Sequence, residues 1–379
     1  YSSMLHTIYN DKKINIIDTP GFDDFIGEVI YALNVVDTAV MVVNAQNGVE
    51  PGTEFTWKQA EKIGTPVMFA MNHLEHDNSN FDETVNQLKN QFGSGVTVFQ
   101  YPVNVGHGFD TVIDLLKMKM FKFPEDGGKP EITDIPEDEK GKAEEMHESL
   151  IEDLASSDES LMEKFFENGS LSEEEMVSGL KAGIRSRSVF PVLCINSKHN
   201  MGVSRLLEFI ANNIPAPNEM PPAESVDSKE FNYDASQPAS AFVFKTSIEP
   251  HLGEVAFFKV MAGEFKEGED YMNANTQNKE RITQLYVFAG KNREKVDKIV
   301  AGDIGATIKL KGTHTHHTLN SLKNPGVKFP PIEYPDPKFR QAIKAVNQAD
   351  DEKLGLALNE MHKVDQTIIA GYRKELRQM

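Results

Sequence analysis

The residues with the clearest capacity for chemistry are Asp18, Thr19, Pro20 and Gly21, which follow an apolar run. An aspartate at the end of a strand can hold Mg²⁺, usually through a water, and a following glycine can turn its peptide so that the N–H meets a terminal phosphate. The same four residues also suit an ordinary turn, which is a common use of this pattern. Phe22 comes next, and its phenyl ring can neither donate nor accept a proton. The segment therefore predicts either a site that hydrolyses a nucleotide or an altered form of one.

Strands and helices alternate around these residues, as judged from the spacing of apolar side chains. The segments, in order, are the buried strand "KINIID", the helix "FIGEVIYALNVVD", the strand "TAVMVVNA", the helix "PGTEFTWKQAEKIG" and the strand "TPVMFAMN". Strands separated by helices indicate βαβ units and a parallel sheet that is covered on both faces. Functional groups then belong at the carboxyl ends of the strands, where Asp18 and Asn72 lie.

The rest of the chain predicts further folded parts. Residues from about 101 to 184 interrupt the rhythm with short strands and two acidic helices, which indicates an insertion, and the rhythm resumes at Val189. Residues 215–240 are rich in Pro, Ser and acidic side chains and predict a linker. From Ala241 the pattern changes to short strands punctuated by glycine, which predicts a small antiparallel barrel. A second linker, residues 322–335, leads to the beginning of another α/β unit.

Composition limits the class of protein. The chain has 379 residues, of which 39% are hydrophobic and 26% are charged, so two or three folded domains are expected. A single cysteine, Cys194, excludes an internal disulfide framework and fits a reducing compartment. The net charge of −19 argues against simple electrostatic coating of nucleic acid or anionic lipid. Because no apolar run approaches the roughly 18 residues of a membrane span, we predict a cytoplasmic protein without a membrane partner.

Two further clusters allow two interpretations each. The acidic stretch at residues 124–176 predicts a solvated helical face, and the alternative is a docking surface for a basic partner. His314, His316 and His317 lie close together in "THTHHT". We interpret them as a solvated hairpin tip rather than a metal site, because no cysteine or well-spaced carboxylate completes a ligand set.

Four longer segments together resemble bacterial elongation factor G, and the match runs in order over essentially the whole chain. These segments are "INIIDTPGFDDF", "NGVEPGTEFTWKQAEKIGTPVMFAMN", "FPVLCINSKHNMGVSRLLEFIANNIPAP" and "KVMAGEFKEGEDYMN". The resemblance implies a translational GTPase that moves tRNA and mRNA through the ribosome. The implied partners are rRNA, ribosomal proteins and guanine nucleotide, and the implied state off the ribosome is a monomer.

The resemblance also implies an order of domains. Residues 1–216 would be part of a P-loop-type α/β G domain, with the family's α/β insertion at about 101–184. Residues 240–322 would be the antiparallel β-barrel of the second domain. Residues 330–379 would begin a small, ferredoxin-like α/β third domain.

Several parts of the family pattern do not occur in this sequence. The phosphate-cradling pattern G-x-x-x-x-G-K-[ST] is absent from the 379 residues, and most of the first switch, the end of the third domain and the fourth and fifth domains have no counterpart. We therefore expect an internal segment of a longer protein. In that longer protein the cofactors would be Mg²⁺ with GTP or GDP, whereas the segment alone is expected to bind none of them.

The second-switch motif of the family reads D-T-P-G-H, and its histidine positions the attacking water. Here Asp18 would hold Mg²⁺ through a water, Thr19, Pro20 and Gly21 would contact the nucleotide, and Phe22 stands in place of the histidine. One interpretation is that Phe22 only packs against Ile26 or other apolar neighbours. The other is that water activation is weakened or lost. The nearby acids at 23 and 24 can either replace the histidine or simply favour the start of a helix.

The base-reading motif of the family, N-K-x-D, also departs from its usual form. Asn72 is kept, His73 replaces the lysine, and Glu75 replaces the aspartate with a carboxylate one methylene further out. The third base-contacting motif aligns with Asn196, Ser197 and Lys198. A backbone N–H at that motif can still meet the guanine oxygen, since the contact does not depend on a side chain. We predict that guanine specificity is weakened but not erased.

Two alternatives to a translocation factor remain open. One is a ribosomal protection protein or a release-factor relative, although those families generally keep D-T-P-G-H and N-K-x-D. The other is a ribosome-binding or regulatory module that no longer cycles nucleotide. An intact G-K-[ST] loop upstream of these residues would favour the GTPase.

Overall fold

The computed structural model describes residues 2–249, 252–337 and 339–371. The chain divides into two compact units. The sheet unit consists of Ile8–Ile14 and Val36–Met220, and the barrel unit takes the residues up to Thr7, Asn15–Val35 and those from Pro221 onward. Within the described residues, no helix combines the length and the apolar composition that a membrane crossing requires.

The chain begins with a hairpin that the sequence patterns did not predict. Strands β1 (Ser3–Tyr9) and β2 (Lys12–Asp18) form a two-stranded sheet of their own. The turn between them places Asn10 and Asp11 at φ 47° and 59°, a left-handed conformation at both central residues that suits a tight hairpin. The prediction of "KINIID" as a buried strand of the parallel sheet is therefore wrong, because an isolated hairpin leaves its residues exposed or half-buried. Helix α1 (Ile26–Val35) follows, as predicted.

The sheet unit contains a four-stranded parallel sheet in the order β3-β4-β10-β5. Its elements, in chain order, are β3 (Ala39–Asn44), α2 (Pro51–Ile63), β4 (Val67–Asn72), α3 (Phe81–Phe92), β5 (Val96–Val98), β6 (Gln100–Pro102), β7 (Thr111–Asp114), β8 (Lys119–Lys122), β9 (Glu131–Thr133), α4 (Glu137–Ala155), α5 (Glu159–Asn168), α6 (Glu173–Ser186), β10 (Phe190–Cys194) and α7 (Val203–Asn213). Every residue of β4 and β10 is buried, as expected for central parallel strands.

An aromatic cluster holds the helices of this unit to the sheet. Trp57 of α2 stacks on Phe92 of α3, with ring centroids 4.4 Å apart, and meets Phe190 of β10 edge-on at 4.8 Å. The prediction that both faces of the sheet are covered is wrong at β3, where Val40 and Val42 are exposed. Helix α1, which the sequence rhythm assigns to this sheet, belongs to the barrel unit instead.

The segment between β5 and β10 is an addition to the parallel sheet, with its own antiparallel sheet in the order β6-β7-β8-β9. Three helices follow, α4 to α6, rather than the two predicted. The acidic run is divided because the Asp158 side chain accepts from the N–H groups that open α5, and Gly169 at φ 69° closes it. A capping box between Ser172 and Glu175 then starts α6.

The barrel unit is built on an eight-stranded antiparallel sheet in the order β17-β16-β22-β13-β14-β21-β18-β19. The helices and strands of this unit from Pro221 onward, in chain order, are β11 (Ala223–Glu224), β12 (Glu230–Phe231), β13 (Ser240–Glu249), β14 (Gly253–Ala262), β15 (Glu264–Lys266), β16 (Asp270–Asn273), β17 (Asn278–Arg281), β18 (Leu285–Ala289), β19 (Asn292–Val296), β20 (Lys298–Val300), β21 (Ile304–Ile308), β22 (Thr318–Ser321) and α8 (Asp351–Val364). An α/β unit with a parallel sheet, followed by this antiparallel barrel, confirms the predicted fold class.

The two faces of β13 belong to two different cores. Ala241 and Val243 join the apolar interior of the barrel, whereas Phe242 and Phe244 point to the other side. There Tyr31 of α1 packs on Phe244, with ring centroids 5.8 Å apart. Because successive side chains of β13 point to opposite faces, one face fills the barrel interior and the other packs against helix α1.

The second predicted linker, and the first from Pro221 onward, belong to the barrel unit and pack on it rather than cross solvent. The segment at 215–240 forms the short β11–β12 pair and buries Phe231, and the segment at 322–335 buries Phe329. The two rings meet edge-on, with centroids 5.2 Å apart. A few aromatic residues are thus enough to hold otherwise polar segments against the sheet. Beyond them, the described part of residues 336–371 contains helix α8 and no strand, and residues 372–379 lie outside the described residues.

A buried ion pair joins α1 to β13. The Glu28 carboxylate accepts from Lys245 Nζ at 2.9 Å, from Tyr31 Oη at 2.7 Å and from the Ser2 N–H at 2.8 Å. Burial alone would raise the pKa of Glu28, but the Lys245 charge and these hydrogen bonds lower that pKa to about 2. Burial lowers the pKa of Lys245 below its ordinary value, although Glu28 opposes that shift. Both side chains are therefore charged, and each charge stabilises the charged form of the other.

The histidine segment between β21 and β22 is not the solvated hairpin tip predicted for it. The neighbouring Thr313 and Thr315 are buried, and His317 Nδ1 lies 3.0 Å from the Asn273 amide nitrogen. His316 stacks between Phe242 and Tyr334. These contacts with neighbouring strands hold the segment against the barrel. Among the described residues, no group of three metal-ligating atoms converges at this segment, so the metal alternative gains no support here.

We expect the barrel unit to lose stability as the pH falls from about 6.5 to about 4. Burial, reinforced by the charges of His317 and His362, lowers the pKa of His316 to about 4. Between these pH values the His316 side chain is protonated in the unfolded chain but neutral in the folded chain. The free energy of unfolding therefore decreases as the pH is lowered. After allowance for solvent screening the loss is about 1–2 kcal/mol.

The measurement is urea unfolding at a series of pH values for the natural chain and for His316→Gln. The substitution is expected to flatten part of the pH dependence, with the remainder due to His317, whose pKa burial also lowers. His107→Gln is the control, since the His107 side chain is 90% exposed. Equal pH dependence in the natural chain and His316→Gln would contradict the assignment.

Candidate nucleotide site

The Asp18 segment, residues 18–25, lies in the barrel unit at the end of β2. The Asp18 carboxylate is exposed, as is Gly21. A Cβ atom on Gly21 would meet nothing within 4 Å, and its backbone does not have a positive φ. Neither space nor backbone strain therefore requires glycine here, and the peptide at Gly21 is not restrained by packing.

Phe22 has extended backbone, with φ −88° and ψ 137°, and precedes a single 3-10 turn at Asp23–Phe25. Its side chain is 76% exposed. The interpretation that Phe22 packs against Ile26 or other apolar neighbours is therefore wrong. Asp23 and Asp24 are exposed within the 3-10 turn. Because the phenyl ring of Phe22 is exposed, a contribution to the stability of the fold does not explain why phenylalanine occupies this position.

The sheet unit holds the other predicted residues, and Asn72 stands at the end of β4. Strands β4 and β10 are parallel neighbours, with Met71 paired to Cys194, so the residues after each strand lie side by side. The Asn72 amide donates to Ser197 Oγ at 2.9 Å, and the Ser197 N–H donates to Asn72 Oδ1 at 3.0 Å. This reciprocal pair of hydrogen bonds ties the two strand ends together.

The loop that follows β10, here called the β10 loop and defined as residues 196–202, is held from within. Asn196 is buried, and its Oδ1 accepts from the His199 N–H at 3.2 Å. Gly202 has φ 75°, and a Cβ there would come within 2.5 Å of the Cys194 carbonyl oxygen, so only glycine fits. Ser197 and Lys198 are exposed at the surface of the loop. Among the described residues, no acceptor is found for the Lys198 N–H.

The turn that follows β4, here called the β4 turn and defined as residues 73–79, presents a cluster of two histidines and a carboxylate. His73 has a left-handed backbone, φ 62°, and its carbonyl oxygen accepts from Ser79 Oγ at 2.5 Å. Glu75 Oε1 lies 3.6 Å from both His73 Nδ1 and His76 Nε2. Both carboxylate oxygens of Glu75 are buried, and neither has a hydrogen-bond donor among the described residues.

One half of the predicted site is joined by contacts within the sheet unit, and the other half belongs to the barrel unit. The β4 turn and the β10 loop bring together Asn72, His73, Glu75, Asn196, Ser197 and Lys198 within the sheet unit. Asp18, Thr19, Pro20, Gly21 and Phe22 belong to the barrel unit. Sequence reasoning missed His76 and Ser79. The spacing H-x-E-H in "MNHLEHD" was the available signal for His76, since short turns bring such residues together.

Comparison with known proteins identifies the family of the chain. Residues 1–216 match the family described as Elongation factor Tu GTP binding domain, and residues 238–321 match Elongation factor G domain 2. The chain is 34% identical over 389 aligned positions to Elongation factor G of Ureaplasma urealyticum serovar 10, covering 98% of the chain and 56% of that protein. Elongation factor G of Ureaplasma parvum serovar 3 gives the same identity and coverage.

A solved structure supports the fold. The crystal structure of ttk003000868 from Thermus thermophilus superposes with a TM-score of 0.86 at 25% identity, over 100% of the chain and 54% of that structure. The chain thus spans about half the length of the relatives it matches. A GTP binding domain of the elongation factor type, followed by the second-domain barrel, defines a translational GTPase class. Within that class, the chain belongs to the elongation factor G family.

Proposed function

We propose that this chain is part of an elongation-factor-G-like GTPase that acts on the ribosome during movement of tRNA and mRNA. In this proposal it is a cytoplasmic protein and a monomer when it is off the ribosome. The observation that carries the proposal is the Glu75 carboxylate, which offers two buried acceptor oxygens without donors beside the tie between Asn72 and Ser197.

Guanine is the base whose hydrogen-bonding edge complements this arrangement. Its N1–H and N2–H groups are two adjacent donors, which a carboxylate such as Glu75 accepts as a pair. Adenine has an acceptor in place of N1–H and no N2 donor, so it would leave the buried oxygens unpaired. In this proposal the Lys198 N–H donates to the guanine oxygen, and the partly exposed ring of His73 stacks on the base.

We propose that the Asp18 segment contacts Mg²⁺ and the phosphates of the nucleotide. An exposed carboxylate at a strand end is an oxygen ligand of the type that Mg²⁺ prefers, so Asp18 fits a water-mediated Mg²⁺ contact. The ion, when bound, neutralises charge that develops on the transferred phosphoryl group. Thr19 and Pro20 shape the turn, and Gly21 can present its N–H to the terminal phosphate. Phe22 cannot position or deprotonate a water, so we propose that hydrolysis is weakened.

The proposed domain boundaries follow the same family. Residues 1–216 would be the G domain, with the insertion at about 101–184, and residues 240–322 would be the barrel. Residues 330–379 would begin the third domain. The two family matches, to residues 1–216 and 238–321, support the first two of these boundaries.

The 379-residue chain by itself is expected to bind GTP and GDP negligibly. Its sequence lacks the G-x-x-x-x-G-K-[ST] pattern, so the β-phosphate finds neither a nest of N–H groups nor a lysine. Isothermal titration calorimetry of the chain with each nucleotide and Mg²⁺ is the measurement. Micromolar affinity for GTP would show that phosphate binding does not need the loop.

Variants of Glu75 in the complete gene product test the base-reading role. Glu75→Gln removes the charged acceptor pair and is expected to weaken GDP binding at least tenfold, since a hydrogen bond to a charged group contributes about 1.5–3 kcal/mol. Glu75→Asp keeps the charge and should retain guanine preference over adenine. Glu83→Gln, on the exposed side of α3, is the matched control. Unchanged GDP affinity in Glu75→Gln would remove Glu75 from the site.

A further inference from the structure

Three metal-ligating side chains meet in the β4 turn. One ligand atom from each of His73, Glu75 and His76 lies within 4.8 Å of the others, and this is the one such group found among the described residues. The Glu75 carboxylate stands between the two rings, with Oε1 at 3.6 Å from His73 Nδ1 and from His76 Nε2. The three side chains therefore converge on a common point.

Hydrogen bonding within the cluster does not explain this convergence. A separation of 3.6 Å exceeds the roughly 2.7–3.2 Å of an N–H···O bond. Glu75 Oε1, Glu75 Oε2 and His73 Nδ1 are all buried and have no hydrogen-bond partner among the described residues. Buried polar atoms are nearly always satisfied, and each unsatisfied one costs about 1–3 kcal/mol. Glu75 Oε1 and His73 Nδ1 also belong to the converging set, so they point to a ligand that satisfies both of them.

The spacing matches a metal ion. Zinc binds histidine nitrogen and carboxylate oxygen at about 2.0–2.2 Å in a tetrahedron, whose ligand atoms are then about 3.4 Å apart. The two separations of 3.6 Å in the cluster are close to that value. We propose that His73, Glu75 and His76 form a binding site for a borderline transition-metal ion of the zinc type.

The donor set selects the class of ion. Two imidazoles and one carboxylate suit zinc and its neighbours in the transition series, whereas Mg²⁺ and Ca²⁺ prefer oxygen ligands alone. The His73 and His76 side chains are 39% and 43% exposed, and Glu75 is 12% exposed, so the cluster opens to solvent on the histidine side. A water can therefore take the fourth position.

The turn that carries the ligands is fixed before any ion arrives. Leu74 is fully buried, and its carbonyl oxygen accepts from the Gly106 N–H at 2.8 Å. The His73 carbonyl oxygen accepts from Ser79 Oγ, and Ser79 is itself buried. Ligands on such a restrained turn lose little conformational freedom when they bind an ion, which favours affinity.

The metal site does not depend on the proposed nucleotide function. One consequence rests on that function, because Glu75 cannot hold zinc and accept guanine at the same time. Zinc and GDP would then exclude each other in the complete gene product. If zinc and GDP bind without competing, the result would count against the guanine role of Glu75. The metal site itself is tested separately, because zinc binding to the chain is measured without nucleotide.

The test is zinc titration of the chelator-treated chain against a chromogenic competitor, with Co²⁺ absorption as a second signal. We expect one zinc equivalent and the intense visible bands of four-coordinate Co²⁺. Glu75→Gln and His76→Gln should each lower zinc affinity by ~100-fold or more, since even a residue that only orients a ligand contributes about 10–100-fold. His362→Gln is the control, because His362 is exposed and belongs to the barrel unit rather than to the β4 turn.

Circular dichroism of each variant establishes that it is folded, and His76→Gln alters a side chain that is 43% exposed. Absence of zinc binding to the natural chain would overturn the proposal. So would zinc binding that both variants retain in full, which would place the ion at other histidines.

Discussion

Replacing Phe22 with histidine is expected to raise ribosome-stimulated GTP hydrolysis by the complete gene product by about 10²–10⁴-fold. A histidine can position the attacking water and accept its proton, whereas the phenyl ring of Phe22 does neither. The substitution should be well tolerated, because Phe22 is 76% exposed and contributes nothing to a core. The measurement is phosphate release at saturating GTP in the presence of ribosomes.

Phe25→His is the matched control for this substitution. Phe25 is a second exposed phenylalanine three residues further along the same segment, so the variant adds a histidine without placing it at the family position. We expect no gain from it. If the natural protein already turns over at the rate of the Phe22→His variant, another group activates the water, and Asp23 and Asp24 are the nearest carboxylates.

Breaking the buried pair between Glu28 and Lys245 is expected to destabilise the barrel unit by about 3–5 kcal/mol. In Glu28→Leu the Lys245 ammonium keeps its buried position without the carboxylate that lies 2.9 Å away. Tyr31 Oη loses its acceptor in the same change. Hydrogen exchange of the β13 and β14 amides should then lose protection by roughly 10²–10⁴-fold.

A double variant separates the charge effect from damage to packing. Glu28→Leu with Lys245→Met replaces both charges by apolar groups of similar size and should recover much of the lost protection. Lys298→Met is the control, since it removes a solvent-accessible pair with Glu264 and should leave the protection nearly unchanged. Equal losses in Glu28→Leu and the double variant would mean that shape, not charge, makes Glu28 necessary.

Part of the arrangement of the proposed base-reading residues was predictable from periodicity, whereas their link to base reading came from the resemblance to elongation factor G. Apolar runs ending in Asn72 and Cys194 indicated parallel strands, and parallel neighbours place the residues that follow them at one edge of the sheet. The alternation of β13 likewise indicated the barrel, since Ala241 and Phe242 must face opposite sides.

The errors arose where a local pattern fits two structures. The run "KINIID" suits a buried strand and a hairpin strand equally well, and only the Asn10-Asp11 turn distinguishes them. The segments taken as linkers are polar on average, yet Phe231 and Phe329 bury themselves on the barrel. The average composition of a segment does not show whether a single aromatic side chain in it is buried against a neighbouring sheet.

The converging ligands of the β4 turn could not be predicted from residue types alone. His73 and His76 approach Glu75 because His73 adopts a left-handed backbone and Leu74 anchors the turn in the core. Neither feature is visible in the sequence. The departure from N-K-x-D was visible, and its structural consequence was not.

Nucleotide-dependent sedimentation of the complete gene product with ribosomes tests the proposed function most directly, because it does not require hydrolysis. We predict that a non-hydrolysable GTP analogue increases the fraction that pellets with ribosomes, and that the corresponding ATP analogue does not. Sedimentation that is the same with either analogue would favour a ribosome-binding module that no longer cycles nucleotide. Failure to bind ribosomes with any nucleotide would contradict the proposal that this family member acts in translation.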